Sequence, residues 1–364
     1  MKNVGIITIC DNDNYGNRLQ NYALHETLNK LGIKNTTFWP EWAEDKTTLE
    51  RKIKIAIKSI LNMYDIKAKR YLIFKQFTDS KIDNQYINFE NLDKISNEFD
   101  YFIVGSDQIW NYNFGLAQDK DFLKFTDYDK RISYAPSFGI SDIEEKWKAK
   151  ICNGVNSIKY LSVRENQGAK IIKELTGRNA KVLLDPTLLL SKEEWRKVQK
   201  KPKRMKFKKY ILTYFLGEKS KELQLEINSL KERDDLEVIN LCDINEEQYY
   251  AYGPSEFLYL FDNAELILTD SFHACVFSII YNKSFFVFDR KQKNMKNMNS
   301  RLDTLLEIFK LQERKVKSLE GKKDIYECDY SKSYEILKIK QNESLDFLKK
   351  SMNISQYNRS VANE

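Results

Sequence analysis

The 364 residues contain only two histidines, His25 and His273. The five cysteines (Cys10, Cys152, Cys242, Cys275, Cys328) are scattered, with no CxxC pair. An odd, dispersed set of this kind argues against a disulfide framework and against the clustered spacing of a Cys/His metal site. It points to a reducing, cytoplasmic setting. No run reaches the ~18 apolar residues of a membrane span, and the opening Val4-Gly5-Ile6-Ile7 is too short for a signal peptide. There is no GxGxxG dinucleotide fingerprint and no internal repeat with a period of roughly 20–50 residues. What is present is ample apolar material: 42% hydrophobic residues, with 21 Tyr and 21 Phe. That is enough for two cores and excludes a disordered chain. The net charge of +7 favours anionic partners without choosing among phosphorylated metabolites, lipid headgroups and nucleic acid.

Short β-rich runs alternate with helical stretches along the chain. Expected strands are Val4–Ile9, Asn35–Trp39, Tyr101–Val104, Ile132–Ala135, Tyr160–Val163 and Lys181–Leu184, with helices at Arg18–Leu31, Asp142–Asn153 and Asn166–Leu175. Gly32 reads as the residue just past the first helix. Residues 196–209 then hold nine Lys or Arg in fourteen positions and no acid. A second series follows, with strands Tyr210–Leu216, Leu236–Leu241, Glu265–Thr269 and Phe285–Asp289 and helices Lys219–Arg233, Pro254–Asn263, Phe272–Tyr281 and Arg301–Phe309. Such alternation means βαβ units and mostly parallel sheets. The expected organisation is a Rossmann-like domain at 1–190, a basic linker at 191–209, a second Rossmann-like domain at 210–330, and a C-terminal helix and tail at 331–364. That helix, Ser331–Met352, carries Tyr334, Leu337, Leu345 and Leu348 as its stripe.

Five strand-to-helix junctions carry candidate chemistry, because open α/β sheets place ligands at the carboxyl ends of their strands. At 266–285 the run Leu266-Ile267-Leu268 stops at Thr269-Asp270-Ser271, and a helix with His273 in its first turn follows. Helix N-termini suit phosphate or carboxylate. In CDNDNYGNRLQNYAL (10–24), Gly16 can take φ > 0, Asn14 and Asn17 can bond hydroxyls or phosphate, and Arg18 opens the helix. This loop reads equally as a substrate cradle or as a plain Asn-capped turn. In FIVGSDQIWN (102–111), Gly105-Ser106-Asp107 ends a buried strand, with Asp107 as base or hydroxyl ligand and Trp110 as a stacking face for a sugar. The bland alternative is a helix cap and a core tryptophan. SYAPSFG (133–139) reads first as a turn. Arg164 in YLSVRENQGAKIIKEL (160–175) is either an anion clamp or half of a surface ion pair with Glu165. His25, in mid-helix, reads as structural. The basic, isoleucine-rich stretch at 51–70 is either a membrane-surface helix or a solvated face. Neither it nor 196–209 carries a nucleic-acid fold signature.

These motifs in this order (NYGNRLQNYAL at 14–24, GSDQIWN at 105–111, SYAPSFG at 133–139, SVRE at 162–165, DPTLLL at 185–190 and TDSFHA…NKSF at 269–285) resemble the polysaccharide pyruvyl transferase family over roughly residues 3–290. The resemblance implies a GT-B-like fold, two Rossmann-like domains facing a cleft. It also implies transfer of a pyruvyl group from phosphoenolpyruvate to a sugar of a surface polysaccharide or its lipid-linked precursor, as a ketal. The cytoplasmic setting leaves peripheral contact with the inner face of the plasma membrane open. Phosphoenolpyruvate is then a donor substrate, and neither cofactor nor metal is required. His273 becomes the general acid/base. Arg164, Asp270, Ser271 and Phe272 become donor-side residues. Asn14, Gly16, Asn17, Arg18, Gly105, Ser106, Asp107 and Trp110 become acceptor-side residues. Ser271 stands where the family often has a donor-holding arginine, so either Arg164, Arg18, Arg290 or Lys283 supplies that charge or the donor or activity differs. The competing expectations are a GT-B glycosyltransferase using a nucleotide sugar, and a non-catalytic scaffold of polysaccharide assembly. Nucleic-acid binding rests on charge alone.

Overall fold

The computed structural model describes residues 1–44, 65–203, 205, 208–290 and 300–354. The first sheet consists of β1 (Asn3–Ile7), β2 (Lys34–Pro40), β3 (Asn84–Ile87), β4 (Tyr101–Val104) and β5 (Arg131–Ser133), all parallel, in the order β3-β2-β1-β4-β5. Beyond β5, the pair β6 (Ser162–Val163) and β7 (Lys181–Val182) continues it through a bridge between Ile132 and Tyr160. The second sheet holds β8 (Tyr210–Tyr214), β9 (Glu237–Leu241), β10 (Leu266–Thr269) and β11 (Phe285–Val287), again parallel, in the order β11-β10-β8-β9. Parallel pairing requires crossover helices, which cover both faces and leave the strands apolar throughout.

Alternation along each strand sorts its side chains between two layers. Val4 and Ile6 of β1 enter one apolar cluster, while Ile7 enters another with Phe102 and Val104 of β4. Gly5 lies between the aromatic rings of this layer, since a Cβ there would come within 2.7 Å of Phe102. In the second sheet Tyr210, Leu212 and Tyr214 join the same cluster as Val4 and Ile6, while Ile211, Leu266 and Leu268 form a third. One core therefore runs through both halves. Tyr15 stacks on Phe257 across it with ring centroids 4.5 Å apart.

The basic stretch after residue 190 is more than a connector. Lys192–Arg196 form a short helix closed by a capping box between Ser191 and Glu194. It drives the fully buried Trp195 between Tyr22 and Phe277, at 5.5 and 5.1 Å. The long C-terminal helix, Ser331–Ser351, returns to the first half. Ser344 accepts the Leu184 N–H at 3.3 Å, Gln341 donates to the Leu188 carbonyl at 2.6 Å, and Lys2 bonds the Met352 carbonyl. Its buried residues are Ser333, Ser344, Phe347, Leu348 and Ser351, while Tyr334 is exposed. The apolar stripe expected from the sequence is therefore only partly the one used. Most of the basic 51–70 stretch lies outside the described residues. At its described end Lys67 and Lys69 are exposed, whereas Arg70 is buried. No helix among the described residues is long and apolar enough to cross a membrane.

Candidate active site

The order of each sheet contains one switch point, where neighbouring strands send their chains to opposite sides: β1/β4 in the first sheet and β8/β10 in the second. Ligands bind beyond the strand ends at such points, and here the two face each other. Between them lies a cavity of about 390 Å³. The first half contributes the loop after β1 (Ile9, Asp11, Asn14, Asn17) and the loop after β4 (Asp107, Gln108, Phe114, Leu116). The second contributes Leu216, Ser271, Phe272, His273, Arg290 and Arg301.

His273 owes its place to local geometry. β10 ends at Thr269, Ser271 stands at the N-cap position of the helix Phe272–Tyr281 without a side-chain cap hydrogen bond, and His273 falls in its first turn. The ring reaches across to the first half and packs on Gly16, where a Cβ would overlap it. Its Nε2 lies 3.6 Å from Asp185 Oδ2, and the side chain is 8% exposed. Asp185 is held from all sides. It accepts from the Thr187 N–H at 3.0 Å, the Thr187 hydroxyl at 2.6 Å, the Ser106 hydroxyl at 2.9 Å and Arg164 at 2.7 Å. Burial alone would raise its pKa. The His273 imidazole, the Arg164 guanidinium and the Thr187 hydroxyl outweigh burial and hold it well below the usual carboxylate range. His273 Nε2 makes no hydrogen bond among the described residues, so the ionised carboxylate acts on the imidazole through its charge at 3.6 Å.

Arg164 also bonds Asp107 at 3.1 Å, and its guanidinium lies 4.3 Å over the Phe272 ring. Asp107 has φ of +67°, a conformation that a residue with a side chain seldom adopts. Its carbonyl accepts the Ser137 N–H at 2.7 Å, and its carboxylate takes the Gln108 N–H at 2.9 Å. Burial opposes ionisation of Asp107, but Arg164, then His273 and Arg301, keep its pKa below the ordinary value. Beneath this layer Glu165 accepts from Ser137 and from the Phe138 and Gly139 N–H groups. Its pKa is pushed up, chiefly by burial.

The model of the polysaccharide pyruvyl transferase family matches residues 14–292, which include every one of these residues except Ile9, Asp11 and Arg301. The chain belongs to this family. Its architecture is that of GT-B enzymes. A protein described as a UDP-N-acetylglucosamine 2-epimerase from Listeria monocytogenes superposes with a TM-score of 0.51 at 9% identity, over 100% of both chains. The UDP-GlcNAc 2-epimerase of Methanocaldococcus jannaschii gives 0.47 at 12% identity, over 93% of this chain and 99% of that one. MurG of Acinetobacter baumannii gives 0.41 at 8%, over 98% and 96%. No curated protein sequence matches.

Set on this pyruvyl transferase fold, the residues expected at the site separate into three groups. Asn14, Asn17, Asp107, Ser271, Phe272 and His273 line the cavity. Asn14 caps the helix Tyr15–Lys30 by accepting the Asn17 N–H. Asn17 donates its amide to Asp11, and its Oδ1 has no partner among the described residues. A second group supports the wall from behind. Ser106 bonds Asp185 and the Ala135 carbonyl, Arg164 is spent on two carboxylates, and Asp270 accepts the Leu216 and Gly217 N–H groups at 2.8 and 2.7 Å. Gly105 continues the ladder beyond β4 through its N–H to Ile7. Gly16 is needed for lack of a Cβ rather than for a positive φ, because it sits in the helix.

The third group is corrected. Trp110 offers no stacking face. It is fully buried, packs on Phe122 and Phe138, and donates its indole N–H to the Asp121 carbonyl. Arg18 is likewise buried, bonding the Ile9 carbonyl and lying over the Trp39 ring. Neither reaches the cavity. Arg164 lies behind it, so the exposed clamp expected there is instead a buried ion-pair hub. The residues that sequence reasoning missed are Asp11, Gln108, Asp185 and Arg301; Asp185 lies inside the DPTLLL stretch but is given no role there. Arg301 had no motif around it to draw notice.

Proposed function

We propose that this protein transfers a pyruvyl group from phosphoenolpyruvate to two hydroxyls of one sugar, in a surface polysaccharide or its lipid-linked precursor, as a cyclic ketal. The observation that carries this reading is His273, placed on a cavity walled by both domains with a carboxylate behind it and two arginines beside it. The His273 imidazolium gives a proton to the methylene carbon of the donor, and positive charge develops at C2. The first sugar hydroxyl attacks C2 and passes its proton to the imidazole. The bond from C2 to the phosphate oxygen breaks, the second hydroxyl closes the ring, and its proton leaves with the phosphate. One proton thus ends on the new methyl group and one on inorganic phosphate. An imidazole can both give and take a proton and so serves both directions. Asp185 stabilises the imidazolium. Asn14 and Asn17 orient the acceptor hydroxyls, with the Asn17 Oδ1 free to accept one. Asp107, tied to Arg164, fixes the floor between them.

Incubation with phosphoenolpyruvate and a panel of lipid-linked or synthetic sugars tests the reading. Phosphate release together with a product heavier by one ketal supports it. His273→Ala is expected to lose about 10²–10⁴-fold in turnover with an unchanged melting curve. Near-full turnover in that variant would remove His273 from the chemistry. Thermal stabilisation by UDP or GDP, and not by phosphoenolpyruvate, would replace the donor with a nucleotide sugar.

A further inference from the structure

We infer that Arg290 and Arg301 form the anion clamp of this cavity, holding the phosphoryl and carboxylate groups of the donor in place of the arginine that Ser271 does not provide. The donor's identity rests on the reading above; the choice of residues rests on geometry. Of the four cations expected to substitute, three are excluded by position. Arg164 is committed to Asp185 and Asp107. Arg18 is buried against Ile9 and Trp39. Lys283 follows the far end of the helix Phe272–Tyr281, at the opposite pole from Ser271. Arg290 alone of the four lines the cavity, and Arg301 joins it there.

Among the described residues both guanidiniums have donors to spare. Arg290 donates to the Asp270 carbonyl at 3.2 Å, but its Nε lies 3.4 Å from a carboxylate whose oxygens already accept two backbone N–H groups. Arg301 is 7% exposed. Its Nη1 stands 3.8 Å from Asp107 Oδ1, an oxygen already hydrogen-bonded by Arg164 and Gln108. Among the described residues neither Nε has a hydrogen-bond partner, which holds for Arg18 and Arg164 too, so it is the place on the cavity that sets this pair apart. A buried polar group left unpaired is costly, and a guanidinium has five donors to satisfy. Arg301 also sits in the first turn of its helix, Ser300–Phe309, where the helix dipole disfavours a cation. Burial, then the like charge of Arg164, pull its pKa down to about 10, which leaves it protonated at neutral pH. An anion in the cavity offsets the buried positive charge and gives the guanidinium donors that face it a partner. Two planar forks arriving from separate elements suit a ligand with two separated anionic groups.

The test is calorimetric titration of phosphoenolpyruvate into the full-length protein and into the variants Arg290→Ala, Arg301→Ala, Arg301→Lys and Lys283→Ala, each checked for an intact melting transition. Each alanine variant of the pair is expected to weaken binding by about 10–100-fold, the worth of a charge-assisted hydrogen bond. Arg301→Lys should fall between, because it keeps the charge and loses the fork, and Lys283→Ala should match the unaltered protein. Pyruvate and inorganic phosphate, each carrying one of the two anionic groups, should bind the unaltered protein more weakly than phosphoenolpyruvate does. If Arg301→Ala does not fold, Arg290→Ala and Arg301→Lys still decide the matter. Binding within twofold of the unaltered protein in folded Arg290→Ala and Arg301→Lys overturns the clamp and leaves the donor reading standing. No binding of phosphoenolpyruvate to the unaltered protein overturns the donor reading and the clamp with it.

Discussion

Gly16 shows how much of the site hangs on a single missing atom. It lies in the first turn of a helix, where alanine would ordinarily be preferred by about 1 kcal/mol. A Cβ at this position would overlap the His273 ring, so glycine is kept against propensity. Gly16→Ala should therefore fold, with the helical gain offsetting part of the steric cost, while displacing the imidazole. A shift of about 1 Å in a catalytic group costs on the order of 10²-fold in rate, and that loss is the expected outcome in a turnover assay with an otherwise intact melt. Turnover within a few-fold of the unaltered protein would mean that the ring can settle elsewhere. The sequence marks Gly16 as special because it sits in a polar loop after a strand. It cannot show that the neighbour is a histidine 257 positions away, because that contact exists only once the two sheets face each other. Trp110 teaches the opposite lesson. A tryptophan after Gly-Ser-Asp suits a sugar platform, yet its indole N–H finds a carbonyl inside the core, and burial then outweighs exposure.

At the level of elements, apolar periodicity located the strands and helices that bury a continuous face, and failed where an element is half-wet. β3 (Asn-Gln-Tyr-Ile) is half-buried at every position and lies on the sheet edge, so it lacks the apolar run that announces a strand. The helix Tyr15–Lys30 begins three residues before its expected start because the Asn14 side chain caps it, which moves Gly16 and Asn17 from a loop into the first turn. Assigning 191–209 to a linker hid the helix Lys192–Arg196, although Ser191 and Glu194 form the capping box that its sequence allows. The purpose of that helix is Trp195, which fills the space between Tyr22 and Phe277 and donates to the Thr187 carbonyl. Trp195→Ala should cost about 3–5 kcal/mol, read as a lowered midpoint in denaturant. A midpoint unchanged from the unaltered protein would show that the segment is a plain connector.

For the whole molecule, the question is what keeps two switch points opposed across a cavity. The shared apolar core supplies adhesion without direction. Direction comes from Arg70 on the helix Ile66–Lys81. It donates to the Asp13 carbonyl at 2.6 Å and the Tyr15 hydroxyl at 3.0 Å in the first half, and to the Tyr250 carbonyl at 2.7 Å in the second. Tyr15 in turn donates to the Tyr252 carbonyl at 2.6 Å. The Arg70 guanidinium also lies over the rings of Tyr15 and Tyr250, at 4.5 and 5.0 Å. Asp13 and Tyr15 flank Asn14 on the loop and helix start that bring Gly16 under His273, so the same contacts that join the halves also set the height of the cavity. Arg70→Met keeps much of the apolar stem and removes the hydrogen bonds that Arg70 donates, leaving the one from Tyr15 to Tyr252. The expected cost is about 3 kcal/mol, or a melting midpoint lower by roughly 4 °C for a chain of 364 residues, together with a raised KM for the donor as the walls part. Lys69→Met, one residue away and exposed, should change neither. An Arg70→Met protein that melts within about a degree of the unaltered one, with the same KM, would show that the shared core alone fixes the cleft.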